Sequence, residues 1–310
     1  MDFNRFDELT KALAVSTSRR QTCKVLLASA LGVGSMGTAH ADSIDQSTRD
    51  LILASPDCGN NSDGGIWQQI YNCLYRGITA QCFAGGYSRS RSNPWVLGLN
   101  PQLHHYTFFA GKRARGIECH YIWTQTTPDW WTLAWNVANN NPSRPQYNLR
   151  AQINQGILGM AINSVRTRTA NQLHIHMSCI RLDVLNTLRN STNIPTTPSA
   201  WTSANAVVTL PILPTATGRT QANFRVIRLN LGPGLMYLGQ NLFQLLYNNI
   251  IRAQRRPSSD MQYQTLALAQ VSSTGNQFYV INSEDFVPQS QNPYLPNSIG
   301  AGERLLNENC

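Results

Sequence analysis

The 310-residue chain predicts an α+β fold, a largely antiparallel sheet with a few helices between its strands. Three observations carry this. Residues 172–179 alternate strictly, with Leu173, Ile175, Met177 and Cys179 on one side and Gln172, His174, His176 and Ser178 on the other, the pattern of a half-buried strand. Residues 266–271 and 278–281 are apolar runs separated by Ser-Ser-Thr-Gly-Asn, which reads as a β-hairpin. Helical runs fall between strands that can pair through turns, and that order favours an α+β arrangement over a doubly wound parallel sheet.

Taken in order, residues 1–41 read as an export signal. Arg19-Arg20 precedes a mildly apolar run over 25–36, and Ala39-His40-Ala41 places small residues where a signal peptidase reads them. The mature chain is therefore expected to begin near Asp42, in the periplasm, the cell envelope or outside the cell. Residues 42–85 form a short, Cys-containing lead-in rich in Asn and Gly. Strand signals follow at 95–99 and 106–109. Residues 130–139 read as a helix with its tryptophans toward the core. Leu158, Met160 and Ile162 alternate with small residues and predict a strand leading into the histidine strand. A short helix over 181–189 would turn Leu182, Leu185 and Leu188 inward. Residues 191–206, rich in Thr, Ser and Pro, read as a loop. A strand over 224–231 and a long helix over 235–256, stopped by Pro257, come before the hairpin. The expected division is a catalytic domain over 86–287 and a C-terminal tail over 288–310, whose stretch 288–302 has little to bury. No apolar stretch reaches the roughly 20 residues a membrane-spanning helix needs.

The polar side of the histidine strand carries the chemistry. Side chains two apart on a strand lie close together, so both imidazoles can reach one substrate atom. Imidazole suits proton transfer, nucleophilic attack and metal binding near neutral pH. A zinc centre is not expected, because no C-x-x-C pair and no carboxylate cluster accompanies the two rings. No other cofactor is implied.

The net charge is +9. Five basic and three acidic residues lie in 1–41, so the mature chain carries +7, and Lys112 is its one lysine. An Arg-dominated surface is compatible with an anionic substrate or with peripheral contact to an anionic lipid surface. Nucleic acid is not expected, since no basic run with interleaved aromatics is present. Of the seven cysteines, Cys23 leaves with the signal. Six remain (Cys58, Cys73, Cys82, Cys119, Cys179 and Cys310), an even number that favours disulfides in an oxidising compartment, with the pairing open. Nothing in the sequence sets the oligomeric state.

Ala161-Ile-Asn-Ser164, the run Arg168-Thr-Ala-Asn-Gln-Leu-His-Ile-His-Met-Ser-Cys-Ile-Arg181 and Asp183-Val184 together resemble the signature region of the CDP-diacylglycerol pyrophosphatases, a branch of the histidine-triad (HIT-like) superfamily. Gly116-Ile117-Glu118, Trp131-Thr-Leu-Ala-Trp135, the hairpin and the terminal Leu305-Leu-Asn-Glu-Asn-Cys310 resemble other family segments in the right order. The resemblance implies a HIT-like antiparallel sheet with flanking helices and disulfide-tied extensions at both ends. It implies hydrolysis of CDP-diacylglycerol, or a related nucleotide diphosphate, to CMP and phosphatidate. His174 would attack the α-phosphorus and His176 would supply a proton to the departing phosphate. Gln172, Asn163, Ser178, Arg113 and Arg168 would bind or orient phosphate. It also implies the pairs Cys73–Cys82 and Cys179–Cys310, leaving Cys58 with Cys119. The chain departs from the family where a Lys-Asp dipeptide is replaced by Gly98-Leu99-Asn100, which bears on nucleotide and lipid specificity.

Two other readings compete. His105-Tyr106-Thr107 and His176-Met177-Ser178 match the paired His-x-Thr/Ser motifs of 2H phosphoesterases, which would make His105 and His176 the acid and base. A catalytically silent nucleotide-binding homologue would keep the scaffold and lose turnover.

Overall fold

The structure, a computed structural model, describes residues 58–60, 65–100, 105–124, 129–153, 157–231, 238–272, 275–285 and 294–307. Its centre is one ten-stranded sheet. The strands are β1 (Tyr87–Ser88), β2 (Trp95–Asn100), β3 (His105–Ala110), β4 (Leu158–Ile162), β5 (His174–Ile180), β6 (Val207–Pro211), β7 (Gln221–Asn230), β8 (Gln264–Gln270), β9 (Gln277–Glu284) and β10 (Leu306–Asn307). They run in the order β1-β2-β3-β5-β4-β8-β9-β7-β6, with β10 paired to the end of β5. Every one of these pairings is antiparallel. The expected α+β class and the β8–β9 hairpin are both present.

The two sides of the sheet are covered differently. Ile175, Met177 and Cys179 of β5 face the main core, together with Met160, Phe108, Leu268 and Phe278. Helices α2 (Trp130–Asn139) and α4 (Leu242–Leu246) pack there. Trp135 meets Phe278 edge-on at 5.1 Å and Trp131 meets Phe243 at 5.7 Å. Helix α2 starts where Asp129 accepts from the Thr132 N–H, an N-cap that satisfies one orphan donor. It spans the range the tryptophan spacing predicts. Helix α4 is much shorter than the predicted 235–256. Asn241 caps it by accepting from the N–H groups of Phe243 and Gln244, and beyond Leu246 the chain continues as a π-helix over Tyr247–Arg252. The predicted start at 235 lies outside the described residues.

On the opposite side, two separate covers leave a strip of sheet between them. Helix α1 (Gly65–Leu74) sets Trp67, Ile70 and Leu74 against Val96 and Phe109 of β2 and β3. Helix α3 (Leu182–Asn190) and the C-terminal segment place Val184, Leu185, Leu188, Leu305 and Leu306 over Ala161, Ala267 and Ile281. β5 lies between these covers, so its polar residues look into the gap. Leu182, expected to face inward, is 69% exposed; Val184 fills the apolar side of that first turn. The 191–206 segment forms no strand, yet Trp201 is fully buried and its indole N–H donates to the Arg225 carbonyl at 3.1 Å.

The tail departs most from expectation. Leu295, Ala301, Leu305 and Leu306 are all buried, and β10 extends the sheet. A Cβ on Gly302 would meet Thr265 Oγ1 at 2.6 Å, so only glycine lets the tail come this close. Disulfides join Cys58 to Cys119 and Cys73 to Cys82. Cys179 is also disulfide-bonded; Cys310, its expected partner, lies outside the described residues, as do residues 1–41, read above as an export signal.

Candidate active site

The register across β3, β5 and β4 builds the site. Thr107 pairs with His176 and Phe109 with His174, while Ala161 pairs with His176 from the other side. Directly opposed residues share a face, and alternation adds His105 to that face from the start of β3. His174 and His176 are 4% and 7% exposed, their ring centroids 5.0 Å apart and nearly perpendicular.

The hydrogen bonds specify which nitrogens can react. His174 Nδ1 lies 2.7 Å from the Gln172 carbonyl oxygen. A carbonyl only accepts, so Nδ1 carries the proton and Nε2 keeps a basic lone pair. His176 Nδ1 lies 3.1 Å from His105 Nε2. Its other nitrogen, Nε2, is 3.1 Å from a Glu303 carboxylate oxygen but too far off line to form a hydrogen bond, and it has no hydrogen-bond partner. Burial, then the neighbouring His176, lowers the His174 pKa to about 3. Burial, then His105, does the same to His176. Both rings are therefore neutral near pH 7, and the Glu303 contact is a carboxylate beside a neutral ring rather than a true ion pair.

The other expected site residues gather around this centre, most of them engaged with protein atoms. The Gln172 amide donates to the carbonyls of Ala110 and Lys112 at 2.7 and 2.8 Å. Its Oε1 accepts from Arg113 at 2.8 Å. Arg113, expected at a phosphate, is fully buried and also donates to the Asn60 and Asn171 carbonyls. Ser178 donates to the Asn307 carbonyl at 2.6 Å, fastening the tail. Asn163 Oδ1 accepts from the Glu303 N–H and so sets the residue that faces His176. Arg168 holds Glu118 at 2.6 Å and Asn171 at 3.0 Å, and its charge reaches His174.

Three residues at the centre were not assigned to the histidine chemistry by the sequence. His105 belonged only to the 2H reading, although its alternation with Thr107 already placed the two on one face. Thr107 has a buried hydroxyl with no partner, directly across from His176. Glu303 carried no local signal, since it arrives from the tail.

At this end of the sheet opens a cavity of about 550 Å³, lined by Arg115, Glu118, His120, Trp123, Arg168 and Asn171 among others. Among the described residues, no group of three or more His, Cys, Asp and Glu side chains is arranged to hold a metal ion, and no helix is long and apolar enough to cross a membrane. A family model described as CDP-diacylglycerol pyrophosphatase matches residues 90–310.

Proposed function

The chain belongs to the CDP-diacylglycerol pyrophosphatase family, a family of hydrolases, and from that premise we propose that it splits CDP-diacylglycerol into CMP and phosphatidate through a nucleotidyl group carried on His174. The observation that carries this reading is the 2.7 Å contact between His174 Nδ1 and the Gln172 carbonyl. It fixes the tautomer whose Nε2 is a neutral nucleophile, and burial keeps the ring from protonating. In the first half-reaction His174 Nε2 bonds to the α-phosphorus and the bridging P–O bond breaks. The electron pair goes to the departing phosphate, which takes the His176 Nε2 proton. In the second, water attacks the same phosphorus and returns a proton to His176 Nε2, the P–N bond breaks with its electron pair going back to His174 Nε2, and CMP leaves. Dividing the displacement lets a positioned imidazole do what free water does poorly.

Two buried polar atoms without partners, Thr107 Oγ1 and His176 Nε2, belong to residues paired across the gap. Buried polar groups are normally satisfied, and phosphate oxygens would satisfy these two. Arg168 adds positive potential, and Arg115, Asn171 and Trp123 of the neighbouring cavity offer a cation, an amide and an aromatic ring to a nucleotide. The HIT-like fold accords with the antiparallel sheet and the central histidine strand. Export behind residues 1–41 belongs to the same proposal, and the intact mass of exported protein tests it; a chain retaining those residues would refute it.

The 2H reading is disfavoured by geometry. His105 and His176 sit on neighbouring strands with their nitrogens 3.1 Å apart, which leaves no room for a phosphorus between acid and base. The silent homologue is disfavoured by the reactive tautomer at His174. Purified mature protein given CDP-diacylglycerol labelled at the cytidine-side phosphate should release labelled CMP and, after acid-free quenching, retain base-stable, acid-labile label. Release with no retained label in the wild type, or normal turnover by His174→Ala, would overturn the mechanism. Binding with no CMP release would favour the silent homologue.

A further inference from the structure

His176 faces a difficulty as a proton donor. Its ring is buried and neutral, and a neutral imidazole gives up its N–H poorly unless its other nitrogen gains a proton at the same moment. That other nitrogen, Nδ1, faces His105 Nε2 at 3.1 Å, with the two ring centroids 5.3 Å apart. His105 stands at the start of β3 and is only partly buried, so bulk water reaches it more readily than it reaches His176.

We propose that His105 is the source of the proton that leaves with the phosphate, passing it through His176 without touching substrate. This rests on the nucleotidyl-histidine reading above. As the P–O bond breaks, His176 Nε2–H transfers to the departing oxygen and His105 Nε2–H transfers to His176 Nδ1. His105 gives up one proton, and His176 stays neutral but exchanges one tautomer for the other. The second half-reaction reverses the chain. His176 Nε2, now basic, takes a proton from the attacking water, and Nδ1–H returns to His105. Both rings end as they began. The charged and titratable groups facing His176 are His105 on β3, His174 on its own strand and Glu303 from the tail, with Arg168 acting at His174. Glu303 makes the relay matter more: without a proton, the departing phosphate would leave as a dianion beside that carboxylate.

The test compares leaving groups. His105→Gln keeps an N–H that can point at His176 Nδ1 but has no proton to pass on. CDP-diacylglycerol and the 2,4-dinitrophenyl ester of CMP present the same phosphorus to His174, and dinitrophenolate departs without protonation. General acid catalysis contributes roughly 100-fold or more. His105→Gln should therefore lose about that factor in kcat on CDP-diacylglycerol and less than about 10-fold on the ester. Equal losses on both substrates would mean a merely structural role, and no loss on CDP-diacylglycerol would remove His105 from the reaction; either overturns the relay. His174→Ala, run on both substrates, separates the two ideas. If it is inactive and forms no adduct while His105→Gln is unimpaired, the relay alone falls. If it turns over normally, the nucleotidyl-histidine reading falls with it.

Discussion

Asn163 Oδ1 accepts a hydrogen bond from the backbone N–H of Glu303 at 3.3 Å, joining residues 140 apart in the chain. Asn163 itself forms an isolated antiparallel bridge with Ala301, so the tail is fastened just past the end of β4. Glu303 is thereby held with its carboxylate against His176. The residue expected to orient phosphate orients the tail, and through the tail it sets the carboxylate beside the His176 ring.

Asn163→Ala is expected to lower kcat on CDP-diacylglycerol by roughly 10-fold, the scale on which loosened positioning acts, and to cost about 1 kcal/mol of stability for the lost hydrogen bond. A double-mutant cycle with Glu303→Gln checks the route. If Asn163 works through Glu303, the double variant loses little more activity than Glu303→Gln alone. Full additivity would place Asn163 at the substrate instead.

Gln172 and Arg113 yield a stability prediction where the family resemblance implied substrate binding. Gln172→Ala would leave a buried guanidinium without one acceptor and the Ala110 and Lys112 carbonyls without donors. We expect a loss of about 3 kcal/mol in urea denaturation, with KM changed less than about threefold. A raised KM at unchanged stability would return Gln172 to the phosphate.

These residues also mark where the sequence stops being legible. Period-two alternation located β4 and β5, and the tryptophan spacing located α2, because those patterns are local and one side of each element is buried. β6 escaped notice because it lies near the sheet edge with Val207, Val208 and Thr209 partly or fully exposed and a proline at its end, so no apolar alternation marks it. His174 and His176 were legible as a pair on one face. His105 was not legible as their partner, since its contact depends on the β3–β5 register that pairs Thr107 with His176. Glu303 depends on a tail that looked too polar to pack and is held by Asn163, just past β4, and by Thr265 of β8.

The disulfides should differ in what they contribute. Cys58–Cys119 spans 61 residues and Cys73–Cys82 spans 9. Loop-closure entropy assigns the first roughly 4 kcal/mol and the second roughly 2.5 kcal/mol. Cys58→Ala with Cys119→Ala should therefore lower the urea midpoint more than Cys73→Ala with Cys82→Ala. Non-reducing peptide mapping should also place Cys179 with Cys310; a free thiol at Cys310 would refute that pair.

The buried histidines make stability fall in acid, and the sign follows from their lowered values. His174 and His176 each hold a folded-state pKa of about 3 against an ordinary 6.5. Above pH 6.5 neither the folded nor the unfolded chain binds a proton at these rings, and their contribution to stability is complete. Between 6.5 and about 3 the unfolded chain takes up protons that the folded chain refuses, so stability falls as the pH is lowered through that window. The slope approaches about 1.4 kcal/mol per pH unit for each ring. Urea denaturation at a series of pH values from 7 to 4 measures it. His174→Asn and His176→Asn should each flatten the acid slope by about one proton. A slope that both buried-site variants left unchanged would mean that the two rings are already charged in the folded protein. His174 could not then be the nucleophile, because a protonated imidazole has no lone pair to offer phosphorus.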